Sequence, residues 1–575
     1  MEQNKRNKIK ILFLVLLLIK SLGYTEWEKI TDGIEYQKFT LSDPNDVYVV
    51  RISRNEPSVL LDVGVGGGTI RDIREPVSKI VSRYQNIVNY SGQQYNIVAA
   101  VNGDFFSYDT DQVVGGQVIL GTYADKMGSR GKFAFKNLSS VFIDKTVSFS
   151  GKVTFADGSQ TNINDINVPR GNNQLILYTF HYDYSTFTTA DGCEVVVGYV
   201  NEPLSPNKEV SGVVREIRSG IGSALIPFDG FVLSASSSAA TLLEQKCKVG
   251  DVIKVKLSIT SSAGKDWTDV YSAVEGNQWF VSNGQLTSDL WEERHPRTAV
   301  AYNDNYIYLI VCDGRRSTSI GMKLSELGNF CIQYLQAKEA LNLDGGGSST
   351  MWVNGSVKNV PSDGTERSVA NALFVAKTAT DKSLRFNHTD VVKTITGANL
   401  KLGPGTQFGN ITQLNKNTIC VVSSSPLNGV FAKGDYWWKI EYNNTEGWIN
   451  QSVLSDTIAP AVPQLLYPQN NSQMVDRNPV FRWTSVEDPD GVYYTLVVSS
   501  NTDFTSKIVY ELSLTTNYYV PAEHGDFKVN TTYYWYVTSR DKGENESGQS
   551  EIFSFVIISS GDVTKPGQVV SLEAT

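Results

Sequence analysis

NYIYLIVCDGRRSTSIGMKLSELGNFCIQYLQAKEALNLDGGGSSTMWVNG, residues 305–355, is the stretch around which the chain is organised. Tyr306 to Cys312 is an apolar, β-branched run of strand length, closed by Asp313-Gly314. Leu324, Leu327, Cys331, Tyr334 and Leu335 then recur at helical spacing. Ser325 and Glu326 stand where a helix start favours a cap and a negative charge. Ala340 to Leu343 is a second short apolar run, closed by Asp344 and three glycines. Strand, helix, strand in this span predicts a parallel unit with a right-handed crossover. Parallel strands end on one sheet edge, so Asp313 and Asp344 are expected near each other, where open sheets bind ligands.

Gly345, Gly346 and Gly347 can present backbone N–H groups to a ligand with no side chain in the way. Ser348, Ser349 and Thr350 add hydroxyls. Arg315, Arg316, Arg297 and Arg367 offer forked cations. Carboxylates beside amides and arginines suggest a phosphorylated, sugar-like ligand. The plain alternative is a glycine-rich turn with solvated charges, and spacing alone does not separate the two.

Met1 to Lys10 is basic and Ile11 to Ile19 uninterrupted apolar, with small residues following. This reads as a secretory leader over residues 1–24, with an uncleaved anchor as the alternative. Secreted or cell-surface localisation follows, with no membrane partner once the leader is removed. At 575 residues the chain is expected to hold several domains. A net charge of −9 gives no support to nucleic-acid binding. Five cysteines (193, 247, 312, 331 and 420) lack metal-ligand spacing. No zinc site is expected, one or two disulfides at most, and Cys312 and Cys331 read as small buried hydrophobes.

From Trp27 to Val101 apolar and polar residues alternate. Gly64 to Thr69 lacks the final glycine of a dinucleotide loop and reads as a turn. A short helix is expected over residues 76–84. Ile97 to Val101 is a buried strand, followed by Asn102, which can bind a sugar hydroxyl or phosphate oxygen. Phe105 and Phe106 suit one core residue and one pocket wall. Asp104, Asp109 and Asp111 make an acidic loop for which calcium is considered, although the spacing is not that of a 12-residue calcium loop. Asp157-Gly, Asp191-Gly and Asp229-Gly fit hairpin turns. His181, in an aromatic run, reads as structural or exposed. Pro296 fixes the approach to a strand from Thr298 to Tyr302, with Arg297 at its entrance. His295 beside them is either a hydrogen-bond partner or a titrating catalytic group.

LNLDGGGSSTMWVNG, DGRRSTSIGM, RHPRTAVAY, VNGDFF and ERSVANALFV, spread over residues 90–376, resemble the signature blocks of the phosphodiester glycosidase family. The resemblance implies hydrolysis of a sugar-1-phosphodiester, such as an N-acetylglucosamine-1-phospho linkage, without a cofactor. Because a departing phosphate has a second pKa of about 6, a strong general acid matters less than in ordinary glycosidases. The candidate carboxylates are Asp313, Asp344 and, more weakly, Glu326. Candidate substrate and phosphate contacts are Asn102, Asp104, Arg297, Thr298, Arg315, the Gly345–Gly347 amides, Ser348, Ser349 and Arg367. A non-catalytic exopolysaccharide-assembly or glycan-binding role, or a metal-dependent phosphodiesterase, are the alternatives.

Residues 390–456 resemble a bacterial Src-homology-3-like domain on the Ala398–Thr406, Trp437-Trp438 and Gly447-Trp448 blocks. Residues 457–560 resemble a fibronectin type III sandwich on Phe481, Trp483 and the Thr532–Val537 run. Residues 561–575 look like the start of a further module. Trp437 and Trp448 are expected as one core and one surface aromatic. The expected architecture is α+β. A mixed-sheet catalytic domain (90–376, preceded by strand-rich residues 25–89) is joined by a linker (377–389) to a small β-barrel and a β-sandwich. A fragment ending near Thr380 is expected to fold alone, and the partner is expected to be an extracellular glycan or cell-wall polymer.

Overall fold

The Tyr306–Cys312 strand lies at the centre of an eight-stranded sheet. On one side it pairs antiparallel with Asn45–Ser53, on the other with Arg297–Tyr302, Arg297 facing Cys312. Glu339–Asn342 pairs with the far side of Arg297–Tyr302, antiparallel, with Asn342 facing Ala299. The two strands flanking the helix are therefore parallel, as their sequence predicts, but an antiparallel strand separates them. That insertion brings a third chain segment to the shared edge. Asp313 leaves one strand there, Asp344 follows another, and Arg297 opens the strand between.

The computed structural model describes residues 26–559 except 72, 86–92, 381–384, 407, 433–434, 475 and 522–526. The leader expected over residues 1–24 and the further module at 561–575 lie outside the described residues. The fold is α+β and mostly strand. Among the described residues no helix is long and apolar enough to cross a membrane.

Period-two alternation explains why the central strands are apolar throughout. Ala299, Ala301, Ile310 and Cys312 join the cluster under the Leu324–Leu335 helix. Val300, Leu309 and Val311 enter the larger cluster against a second sheet. In that second sheet Gln93–Asn102 lies between Met351–Val353 and Asn371–Thr380, with Val59–Val65 beyond. The strands preceding residue 90 thus belong to the same two sheets as the central unit. The turn at Gly66–Gly68 and the helix Val77–Tyr84 form where the sequence places them. All five cysteines are buried free thiols, within the bound of one or two disulfides at most, and Cys312 and Cys331 are core residues.

A third sheet spans residues 147–261 with the helix Ser237–Lys246. Asp157-Gly158 does turn a hairpin, Thr154 facing Gln160. Asp191-Gly192 and Asp229-Gly230 do not: each glycine opens or precedes a strand and packs against a backbone carbonyl, that of Ala235 or Val197, where no Cβ fits. Asp229 is fully buried, and both of its carboxylate oxygens accept from Lys439 Nζ at 2.9 Å.

Lys439 belongs to the nearly closed sheet formed by residues 391–456. Trp437 and Trp448 are both buried, correcting the expected core and surface split. Trp448 meets Phe228 edge-on at 5.6 Å, so the surface tryptophan of an isolated barrel is an interface residue here. The buried Asp229–Lys439 pair and this aromatic contact tie the region before Thr380 to the barrel. Residues 465–557 form two sheets around Phe481, Trp483, Trp535 and Phe555. Where barrel and sandwich meet, the carboxylates of Asp456, Asp490 and Asp541 converge, with Arg385 set against Asp490.

Candidate active site

At the shared sheet edge lies a cavity of about 600 Å³. Arg297, Arg315, Arg367 and Asp344 line it, Phe105 and Trp291 form an aromatic wall, and Glu292, Glu293 and His295 stand around it. Phe105 and Trp291 meet edge-on at 6.3 Å.

Asp344 is the candidate carboxylate that reaches the cavity. Burial pushes its pKa up to about 6, against the Ser348 hydroxyl, the Gly345 N–H and the charges of Arg367 and Arg130, which favour the anion. Its backbone is fixed from behind: Asn102 Nδ2 donates to the Asp344 carbonyl at 2.6 Å. Asn102 Oδ1 accepts from Thr298 Oγ1 at 2.7 Å and from the Thr350 N–H at 3.1 Å. Asn102 and Thr298, expected as substrate contacts, are both fully buried and join three chain segments beneath the cavity. Their polarity is spent on the scaffold.

Asp313 does not reach the cavity. Its side chain accepts from Tyr48 Oη at 3.2 Å, Arg316 at 2.7 Å, Asn359 Nδ2 at 3.1 Å and the Val360 N–H at 3.2 Å. Burial raises its pKa while these donors oppose the shift. It ties the loop after its strand to residues 359–360, which is a structural task. Glu326 is likewise committed: it accepts a fork from Arg294 at 2.6 and 2.7 Å and caps the helix through the Lys323 N–H at 3.1 Å. Neither carboxylate lines the cavity.

The three glycines serve close packing rather than an amide cradle. The Gly345 N–H turns to Asp344 itself and the Gly346 N–H to the Pro296 carbonyl at 2.9 Å. Gly345 abuts the Pro296 carbonyl, and Gly347 lies against the Arg367 guanidinium and Asp363, where any Cβ would collide. Gly346 has φ +64°. Ser348 and Ser349 are buried beneath the turn.

The cations are arranged more usefully. Arg297 is held by the Met322 and Glu293 carbonyls at 3.0 and 2.6 Å. Among the described residues neither Arg297 nor Arg315 has an ion pair, whereas Arg367 pairs with Asp363 at 2.7 Å. Burial lowers the Arg297 pKa. Two guanidinium groups without carboxylate partners among the described residues, lining one cavity, suit an anion.

Residues 205–376 match the family model for phosphodiester glycosidase. Residues 396–455 match that for a bacterial SH3 domain. No curated protein matches the chain. Among solved structures it is similar to a hypothetical protein from Synechocystis, at 20% identity and TM-score 0.45, over 62% of this chain and 64% of that one. A putative exported protein from Burkholderia pseudomallei aligns at 21% identity and TM-score 0.43, over 58% of this chain and 74% of that one. The catalytic domain of zebrafish N-acetylglucosamine-1-phosphodiester alpha-N-acetylglucosaminidase, auto-inhibited by its pro-peptide, aligns at 14% identity and TM-score 0.29, over 61% of this chain and 86% of that one.

The phosphodiester glycosidase match contains every residue lining the cavity except Phe105. Behind Phe105 lies a charged group that sequence reading missed in part. Asp104, expected at the ligand, is buried and accepts from Arg130 at 2.5 and 2.7 Å and from the Gly115 N–H at 3.0 Å. Buried Glu275 lies 3.6 Å from the same arginine. Burial raises the pKa of both carboxylates; Arg130 opposes it at Asp104, and buried Lys132 and then Arg130 oppose it at Glu275. Arg130 stands among Asp104, Glu275 and Asp344 as the shared counter-charge. Asp109 is exposed and Asp111 pairs with Arg74 at 2.6 Å, so the three carboxylates considered for calcium go separate ways. Trp291 was also missed; a tryptophan next to two glutamates, just ahead of the RHPRTAVAY block, was the available signal.

Proposed function

We propose that the cavity hydrolyses a glycosyl phosphodiester at the sugar's anomeric carbon. The observation that carries this reading is Asp344, a carboxylate with a pKa raised to about 6, facing a cavity lined by three arginines within a phosphodiester glycosidase match. Arg297, Arg315 and Arg367 hold the phosphate and stabilise the charge it gains as the C–O bond breaks. Asp344 in its ionised form acts at the anomeric carbon, either as nucleophile or as base for the attacking water. Phe105 and Trp291 offer an apolar wall to one face of the sugar ring. Arg130, Asp104 and Glu275 act from behind, setting the field at Asp344.

The leader-like N-terminus, the bacterial SH3 match and the sandwich, which we read as fibronectin type III-like, support action outside the cell on a wall or capsule polymer. A panel of sugar-1-phosphodiesters in ¹⁸O-water tests the reaction. Label in the released sugar supports the glycosidase. Label in phosphate indicates attack at phosphorus, and absence of turnover on every member favours a glycan-binding role.

A further inference from the structure

A second cavity, of about 210 Å³, lies between the catalytic region and the barrel, and it shares no residue with the Asp344 cavity. Tyr84, Phe180 and Phe228 face it from one side, Leu402 and Phe408 from the other. The rings are close: Phe180 to Phe228 at 4.6 Å and Phe228 to Phe408 at 6.1 Å.

In this apolar lining stands His181, 2% exposed. The Ile119 backbone lies against its ring and favours a proton there, and Nε2 has no partner among the described residues. Nδ1 is therefore the nitrogen that faces Ile119. Burial pushes the imidazole pKa down to about 3, so the ring is neutral, with its proton on Nδ1 and an open lone pair on Nε2. The Thr69 hydroxyl on the same wall is also buried without a partner. Buried polar atoms in folded proteins are nearly always satisfied, so an unpaired acceptor on the wall of an apolar cavity marks a place for a donor.

We propose that this cavity binds a small planar aromatic molecule carrying one N–H or O–H group, its ring among Phe180, Phe228 and Phe408 and its donor on His181 Nε2. The volume agrees, since a dry cavity of about 150 Å³ holds benzene and this one has room for a second ring. A saccharide fits poorly, because its many hydroxyls would meet few partners. An anion fits poorly as well: Arg83, the lining guanidinium, is forked onto Glu75 at 2.7 and 3.0 Å. The site joins two modules, so its ligand would also strengthen their contact. It does not depend on the glycosidase reading.

The test compares indole with indene, which has nearly the same shape but a CH₂ in place of N–H, binding to the full chain by calorimetry. In parallel, ¹⁵N spectra follow the imidazole that stays neutral down to about pH 4. Indole is expected to bind at least about fivefold more tightly than indene and to shift that Nε2 resonance. His181→Leu should bring indole to the affinity of indene. Equal binding of the two, or no binding of indole, with an unmoved resonance, overturns the proposal and leaves a trapped water as the partner of Nε2. Should the variant fail to fold, the two-ligand comparison and the resonance of the unmodified protein decide the matter.

Discussion

Asn102 Nδ2 donates to the backbone carbonyl of Asp344 at 2.6 Å, across 242 residues of sequence. The amide that looks like a ligand contact thus holds the backbone of the carboxylate that lines the cavity. Asn102→Ala should lower kcat by about tenfold or more while changing KM little, because Asp344 is displaced and the arginines that hold the phosphate are not. A rise in KM with unchanged kcat would return Asn102 to the ligand.

Of the three carboxylates singled out from sequence, Asp344 alone should be essential. Glu326→Gln removes the charge that Arg294 forks, on a partly exposed pair. It should cost about 0.5–1 kcal/mol of stability and leave kcat within about threefold. Thermal melts and steady-state rates on one preparation check both parts. A loss of rate of a hundredfold without loss of fold would make Glu326 catalytic.

What the sequence carried and what it hid follow from the range of the interactions. Strand, helix and strand over residues 306–342 are local patterns, and hydrophobic period alone fixes them. The antiparallel Arg297–Tyr302 strand between them is a pairing choice made by segments outside that unit, so no local pattern announces it. The same division holds in the site. Asp344 and the arginines were legible through the family-like blocks that hold them, because a glycine turn with charges nearby does not by itself mark a site. Asp313 reads identically, yet the fold surrounds it with Tyr48, Arg316 and Asn359, two of them from distant segments. Arg130 lies in a short ordinary run, Glu275 in a stretch from Ala273 to Gly284 that resembles a family block near the pocket, and only the sheet packing places both behind Phe105.

Lys439 and Asp229 pair across the contact between the region before Thr380 and the barrel. Breaking a buried pair from one side leaves an uncompensated charge, so Lys439→Met should cost about 3–5 kcal/mol. Lys439→Met with Asp229→Leu should recover most of that loss. By the same reasoning a fragment ending at residue 380 strands Asp229 and exposes Phe228, and it should aggregate or melt well below the full chain. A fragment with an undiminished melting temperature would show that the interface contributes nothing to folding.

Asp344 links activity, stability and pH in one residue. Its pKa is about 6 in the folded protein against 3.8 for a free aspartate. If the ionised form acts on the sugar, the rate should rise with pH through about 6 and then level off. The stability effect has the opposite sign. Folding favours the protonated acid, so the contribution is fully present below pH 3.8 and is lost as pH rises through about 6. Asp344→Asn keeps the shape and cannot ionise. The variant should therefore lose nearly all turnover yet melt higher than the parent at pH 7.5, with the difference vanishing near pH 3.5. Matched melts at the two pH values, with rates taken at pH 7.5, decide it. A variant that retains its rate would place the reactive carboxylate elsewhere, and one that melts lower at pH 7.5 would mean that the ionised Asp344 is held by its arginines more strongly than burial opposes it.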